Sequence, residues 1–189
     1  MVIEAQEEAR LVEEARRSPD AFARLYDEYL PAVYGYVVRR VNNREIAEDI
    51  TSQVWEKALR SLKGLREGAS FKGWLFRVAG NTITDYYRTK GRRQAVSIEE
   101  AGEVANGKSA VAVAELESKV SVRALLAELP EGHREALTLH YLEGLSVEQM
   151  AEALGSTPNA CYMKVYRATK ALADALDKKG IRSMEEYIG

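Results

Sequence analysis

A basic segment between positions 63 and 93 carries side chains suited to contacting a nucleic-acid strand. It holds eight lysines and arginines against two carboxylates, a local charge of +6 in a chain whose net charge is −2. Arginine and lysine neutralise phosphate, and an aromatic ring stacks on an exposed base. Steps of three and four place five such side chains on one helical stripe: Trp74, Arg77, Asn81, Thr84 and Arg88. The stripe predicts a nucleic-acid interface; the alternative is a solvated helix face with a half-buried tryptophan.

A second candidate surface lies in the stretch 145–172. Ser146 followed by Gln149 is a capping box, Gly155 suits a left-handed helix end, and Thr157 followed by proline begins another helix. This spacing describes a helix-turn-helix, in which the second helix enters the DNA major groove. A helical hairpin that binds no DNA is the alternative. The expected outward face of the second helix is Asn159, Met163, Arg167 and Lys170.

No enzymatic constellation is present in the sequence. There is no phosphate-binding glycine loop, no recognisable pair of catalytic carboxylates and no nucleophile with a base. His133 and His140 lack a ligand pattern, and Cys161, alone, falls on the expected buried face of its helix. We therefore predict a protein that is not an enzyme and that needs no cofactor or metal.

The remaining sequence indicates an all-α protein of two small domains. Apolar residues recur at spacings of three and four, and no stretch alternates with the period of a strand. Pro31 is expected to break or kink its helix. Residues 93–120 are small, acidic and poor in large apolar side chains, which is typical of a flexible linker. The predicted organisation is a first domain at 1–92, a linker at 93–120, a second domain at 121–178 and a short tail at 179–189.

The N-terminal sequence MVIEAQEEARLVEEARR is acidic and lacks the features of a signal peptide. No apolar run approaches the roughly 20 residues of a membrane span. We therefore expect a cytoplasmic protein that makes no membrane contact of its own.

Together these segments resemble the bacterial RNA polymerase sigma factors of the extracytoplasmic-function (ECF) group of the sigma-70 family. DAFARLYDEYLPAVYGYV is similar to region 2.1, AEDITSQVWEKAL to region 2.2, and FKGWLFRVAGNTITDYYR to regions 2.3 and 2.4. The stretch from LLAELP to YRATKAL is similar to region 4, and no region 3 domain is present. The resemblance covers nearly the whole chain, with its four segments in the family order.

The resemblance implies three sets of contact residues. The core set, expected on the clamp of the polymerase β′ subunit, is Asp49, Ile50, Gln53 and Trp55. The −10 set, expected to read the −10 promoter element and to capture a flipped base, is Arg66, Ser70, Phe71, Lys72, Trp74, Arg77, Asn81, Thr84 and Arg88. The −35 set, expected in the major groove of the −35 element, is Thr157, Asn159, Ala160, Met163, Lys164, Arg167 and Lys170.

The resemblance also implies partners and a mechanism. Binding the extruded base offsets a few kcal/mol of unstacking, so that promoter melting proceeds without ATP. The implied partners are core RNA polymerase (β′ clamp and β flap), promoter DNA and an anti-sigma factor. The linker would enter the polymerase cleft, where its carboxylates mimic the charge of nucleic acid: Glu99, Glu100 and Glu103.

Two segments depart from the family pattern. Cys161 to Lys164 replace a common Val-Lys-Ser-Arg run, and lysine lacks the bidentate guanine contact of arginine. Ser52-Gln53 replaces a common Gln-Glu pair, which makes the polymerase contact less acidic. The alternatives to a sigma factor are a helix-turn-helix regulator that does not act through polymerase and a helical adaptor that binds only protein.

Overall fold

The computed structural model describes residues 5–100 and 126–178, with side chains over 6–91 and 126–178. Within these ranges the chain is helical and contains no strand, which confirms the all-α prediction. The first helices are α1 (Ala5–Ala15), α2 (Pro19–Val41), α3 (Arg44–Ser61) and α4 (Phe71–Glu100). They are followed by α5 (Glu131–Leu137), α6 (Val147–Leu154) and α7 (Pro158–Lys178). A short 3₁₀ turn spans Leu62–Gly64 and a π-helical segment spans Thr138–Leu142.

The first unit consists of α1 to α4. The Ser18 hydroxyl accepts a hydrogen bond from the Ala21 amide, which begins α2, and the Asn43 side chain accepts one from Ile46, which begins α3. One face of α2 supplies the centre of the core. Its buried residues are Ala21, Leu25, Tyr29, Val33, Tyr36, Val37 and Val41.

Two features of this unit bear on the sequence expectations. Helix α2 runs unbroken through Pro31. Pro31 lies on the exposed side of α2, where the carbonyl that loses its amide partner, on Asp27, can bind water instead. Helix α4 continues to Glu100, past the expected start of the linker at 93.

The second unit consists of α5, the π-helical segment, α6 and α7. Ser146 and Gln149 form the predicted capping box, and Gly155 ends α6 with φ 60°. The Thr157 hydroxyl then accepts a hydrogen bond from the Ala160 amide at 3.2 Å, which begins α7. The predicted helix-turn-helix is thus present. The predicted roles of residue 103, of the rest of the linker beyond 100 and of the tail lie outside the described residues, as do the side chains of Glu99 and Glu100.

The two units pack against each other, with α6 lying across the N-terminal part of α4. The contact brings the helix-turn-helix next to the basic segment. Among the described helices, none is both long and apolar enough to cross a bilayer. The same ranges contain no cluster of histidine, cysteine and carboxylate side chains that could hold a metal ion.

Candidate nucleic-acid interface

The stripe on α4 faces away from the core of the first unit. Arg77, Asn81, Thr84 and Arg88 are exposed and Trp74 is half-buried. The stripe is directed outward because the opposite face of α4, with Leu75, Ala79 and Ile83, is buried. Arg88 makes an exposed ion pair with Asp85 at 2.9 Å, which solvent screens and a phosphate can replace.

The loop at residues 65–70 connects the 3₁₀ turn to α4. Arg66 is exposed, and the Ser70 hydroxyl accepts a hydrogen bond from the Gly73 amide at 3.2 Å, which caps α4. Phe71, the first residue of α4, has only 1% of its surface exposed and packs on the Tyr29 ring at 5.3 Å. Phe71 is therefore a core residue in this conformation.

A cleft between the two units brings three members of the −10 set together. Arg66, Trp74 and Arg77 line it from the first unit, and Glu152 and Ser156 from the second. Its volume is about 530 Å³. Two cations beside an indole ring on a polar cleft can hold a phosphate and a stacked base.

The −35 set lies on the exposed side of α7. Cys161, Val165 and Ala168 are buried against the rest of the second unit, as the helical wheel predicts. Burial raises the pKa of the Cys161 thiol, which fits a core residue and not a reactive one. The exposed members of the set are Thr157, Asn159, Ala160, Arg167 and Lys170. Met163 and Lys164 are half-buried.

The core set on α3 divides into surface and interior residues. Asp49 and Gln53 are exposed. Ile50 is fully buried, and Trp55, 5% exposed, packs on the rings of Phe22 and Tyr26. Ile50 and Trp55 thus support the α3 surface from inside. Within the core set, the exposed side chains are those of Asp49 and Gln53.

The contact between the units occupies two members of the −10 set. The Lys72 ammonium donates to the carbonyls of Glu143 and Gly144 at 2.5 and 3.3 Å. The Ser70 backbone amide donates to the Glu152 carboxylate at 3.2 Å, and the side-chain amide of Gln149 donates to the Ser70 hydroxyl at 3.1 Å. Oxygen atoms of the second unit therefore occupy the Ser70 amide and the Lys72 ammonium, two donors of the −10 set.

Ion pairs extend the contact along α2. Arg39 pairs with the Glu143 carboxylate, whose side chain is 3% exposed. Arg40 lies 3.1 Å from Glu131 and 3.7 Å from Glu135. The Tyr36 hydroxyl donates to Glu135 at 3.3 Å, and burial raises the pKa of that hydroxyl above its usual value.

Burial shifts the pKa values of two charged groups in this contact more than their oppositely charged neighbours do. Burial raises the pKa of Glu143 even though Arg39 and Lys72 act in the opposite direction. Burial likewise lowers the pKa of Lys72 against the attraction of Glu143 and Glu8. Both groups are thus held less favourably as ions in the packed arrangement than in water.

Gly73 allows the two units to approach closely. A Cβ atom built on Gly73 would lie 2.9 Å from the backbone oxygen of Gln149 and 3.3 Å from the Glu152 Cβ. Because the first neighbour is backbone, no rotamer change would relieve the clash. Any larger residue at position 73 must push α6 away from α4.

The sequence pattern does not indicate some residues of these surfaces. Arg39, Arg40 and Glu143 form the contact between the units, but partners about a hundred positions apart leave no local pattern. Gly73, a glycine inside a predicted helix, was the one available signal of a close approach. His133 and His140 are both half-buried, and His140 Nδ1 lies 2.9 Å from the Leu145 carbonyl oxygen.

Two family models match the chain. The model for Sigma-70 region 2 matches residues 25–93, which cover most of α2, all of α3, the loop and most of α4. The model for Sigma-70, region 4 matches residues 119–172, which include α5, α6 and most of α7. Each model thus corresponds to one of the two units.

The chain is also similar to individual proteins. It is 34% identical to the ECF RNA polymerase sigma factor BldN of Streptomyces coelicolor, over 88% of this chain and 64% of that protein. It is 30% identical to the RNA polymerase sigma-H factor of Pseudomonas aeruginosa, over 90% of this chain and 94% of that protein. Among solved structures, CnrH in complex with the cytosolic domain of CnrY has a TM-score of 0.66 at 21% identity, covering 90% of this chain and 97% of that one. At this level of identity, the similarity to CnrH shows a shared fold only.

Proposed function

Because the chain belongs to the ECF group of sigma-70 factors, we propose that it binds core RNA polymerase and directs it to promoters with −35 and −10 elements. It would act with polymerase in the cytoplasm as a transcription initiation factor and not as an enzyme. The chain spans 64% of the length of BldN.

The observation that carries the proposal is the direction of the two basic helix faces. Arg77 and Arg88 on α4, and Arg167 and Lys170 on α7, are all exposed in a chain of net negative charge. Each unit thus presents its own surface for phosphate and bases. Two such surfaces suit two promoter elements read by one protein.

In the proposed mechanism, α7 reads the −35 element from the major groove. Arg66, Trp74 and Arg77, which line the cleft, would hold the melted −10 strand by phosphate contact and stacking. Asp49 and Gln53 would contact the β′ clamp, and the second unit would contact the β flap. Since Ser70 and Lys72 are occupied by the second unit, the units must separate before the whole −10 set can bind DNA.

An anti-sigma factor is a further proposed partner, on the basis of the family. Such a protein would hold the chain away from polymerase until a signal releases it. Co-purification with the full-length chain, followed by competition with core polymerase, would test this partner. A bound protein that leaves the chain able to bind core polymerase would count against it.

The function is tested by run-off transcription with core polymerase on a promoter library, with the full-length chain and its variants. We expect transcripts from a defined promoter class, weaker use of the −35 element with Arg167→Ala, and weaker polymerase binding with Asp49→Ala. The absence of any promoter-specific transcript would remove the assignment. Failure to bind core polymerase, combined with retained duplex DNA binding, would instead favour the helix-turn-helix regulator.

A further inference from the structure

Helix α1 contacts the beginning of the loop that carries Arg66 and Ser70. The two terminal nitrogens of Arg16, at the end of α1, donate to the backbone carbonyls of Lys63 at 3.0 Å and of Leu65 at 2.5 Å. Glu13 lies 3.1 Å from the Arg16 Nε, which orients the guanidinium. One side chain thus fixes two carbonyls of the segment that enters the loop.

Helix α1 also contacts the end of the loop. Glu8 is 9% exposed, and its Oε1 accepts hydrogen bonds from the Tyr29 hydroxyl at 2.5 Å and from the Lys72 amide at 3.3 Å. Lys72 is the second residue of α4, so its amide has no partner within the helix. A carboxylate at this place is also favoured by the helix dipole.

The position of α1 is itself fixed by packing. Leu11, Val12 and Ala15 are buried in the core of the first unit, where α1 lies against α2. The match to the region 2 model begins at residue 25, so α1 lies outside the part that the family model describes. Its contacts with the loop are therefore a feature of this chain beyond that match.

The loop is held from two sides, but only one side remains when the units separate. Gln149 and Glu152 of α6 hold Ser70, and these bonds are lost on separation. The bonds from Arg16 and Glu8 lie within the first unit and persist. A loop that is already ordered loses less conformational entropy when it binds a strand.

We propose that α1 is a brace for the −10 loop, with Arg16 and Glu8 as positioning residues that keep residues 65–70 ready to capture a −10 base. The proposal rests on the proposed function. Neither residue touches DNA; each acts through the loop backbone. The loss of either should therefore reduce discrimination at the −10 element and leave polymerase binding and −35 discrimination unchanged.

Hydrogen exchange tests the physical part of the proposal. Amide exchange in residues 63–72 is measured in the full-length chain bound to core polymerase, for Arg16→Ala, Arg16→Lys and Glu8→Gln. Exposed neighbours on the same segment provide matched controls, Arg17→Ala and Glu14→Gln. We expect exchange about tenfold faster in Arg16→Ala than in Arg17→Ala. Equal exchange in the two would overturn the brace.

Transcription tests the functional part. The wild-type holoenzyme selects a promoter from a randomised library, and each variant is then assayed on that promoter and on versions substituted in the −10 or the −35 element. We expect Arg16→Ala to lower −10 discrimination about tenfold. Arg16→Lys keeps the charge but cannot bridge both carbonyls, so it should lower −10 discrimination by a smaller factor. This variant replaces Arg16→Ala in the test if the alanine variant does not fold.

The outcomes separate the brace from the sigma assignment. If the wild type gives no promoter-specific transcript, the proposed function fails. If the wild type is active and all three variants retain full −10 discrimination, only the brace fails. A loss of equal size on every promoter version would also overturn the brace, because it would indicate a general loss of structure.

Discussion

The two proposed DNA-binding surfaces differ in how far the chain itself covers them. On α7, Asn159, Arg167 and Lys170 are exposed. At the N-terminal part of α4, Ser70 and Lys72 donate to oxygen atoms of the second unit, and Trp74 is half-buried. The packed arrangement thus leaves the −35 surface free and covers part of the −10 surface.

This difference indicates that separation of the units controls the two surfaces unequally. Opening adds little to −35 binding, because α7 is already accessible. It should make the Ser70 amide, the Lys72 ammonium and the Trp74 ring of the −10 surface more accessible. In the packed arrangement the two donors are bound by a carboxylate and carbonyls of the second unit. Variants that weaken the contact should therefore act on −10 binding without changing the α7 surface.

The largest effect is expected from Arg39→Ala, which leaves the buried Glu143 carboxylate without its guanidinium partner. Leaving a buried carboxylate without its charged partner costs about 3 kcal/mol, so the packed arrangement should give way to an open one. Small-angle X-ray scattering of the full-length chain would detect this as a larger radius of gyration.

A matched control for Arg39→Ala is Arg44→Ala, since Arg44 pairs with Glu48 on the exposed surface of α3. It should leave the dimensions of the chain unchanged. Adding Glu143→Gln to Arg39→Ala removes the unpaired charge and should restore part of the packing. A chain that stays compact without Arg39 would show that this pair does not hold the units together.

Gly73→Ala should open the chain through shape alone. The new Cβ would lie 2.9 Å from the Gln149 backbone oxygen, and such overpacking costs about 1–3 kcal/mol. Helix α4 itself should become more stable by about 1 kcal/mol, because alanine replaces glycine in a helix. Single-strand binding to a −10 oligonucleotide should strengthen while −35 duplex binding stays the same.

Gly80→Ala is the control for this substitution. It should stabilise helix α4 by the same amount, but its Cβ would meet only the Tyr36 hydroxyl, at an ordinary van der Waals distance of 3.6 Å. If both variants bind the −10 oligonucleotide as the wild type does, then the contact at Gly73 does not limit access. If both strengthen binding equally, helix stability is the cause and not opening.

The local features of the fold were predictable because their signals span three or four residues. The caps at Ser18, Asn43 and Thr157 and the glycine at 155 each depend on neighbours within one turn, and all are present. The buried face of α7 followed from helical spacing in the same way. Local chemistry therefore fixed the elements and the helix-turn-helix.

The contact between the units was not predictable on the same basis. Arg39 and Glu143 are 104 positions apart, and neither the pattern of α2 nor that of the turn before α6 indicates the pairing. The sequence likewise does not show whether the apolar residues of the family motifs are exposed or buried. Ile50 and Phe71 match family positions, but whether such side chains face a partner or the core depends on the packing of other helices.

A smaller effect is expected from Arg167→Ala, which tests the free surface. Losing one cation from a groove-facing helix should weaken binding to a −35 duplex by about 1–2 kcal/mol. Fluorescence anisotropy at several salt concentrations would measure this, and the salt dependence should become less steep. The same loss is expected in the Gly73→Ala background, since α7 is exposed in both. A loss that appears only in the opened chain would contradict the comparison.

The smallest effect is a pH dependence of the contact between the units. Burial raises the pKa of Glu143 in the packed chain above its ordinary value, so the packed state takes up a proton first as the pH falls. Acidification from pH 7 towards the ordinary carboxyl range should thus favour packing, and this gain is lost as the pH rises through the raised pKa. Arg39 and Lys72 face the carboxylate and oppose the shift without cancelling it.

Scattering measured across this pH range would detect the shift as a smaller radius of gyration at lower pH. Glu143→Gln removes the group and should remove the dependence. If the glutamine variant compacts on acidification as the wild type does, other carboxylates govern the contact. Glu131 and Glu135, which pair with Arg40, would then be the groups to replace.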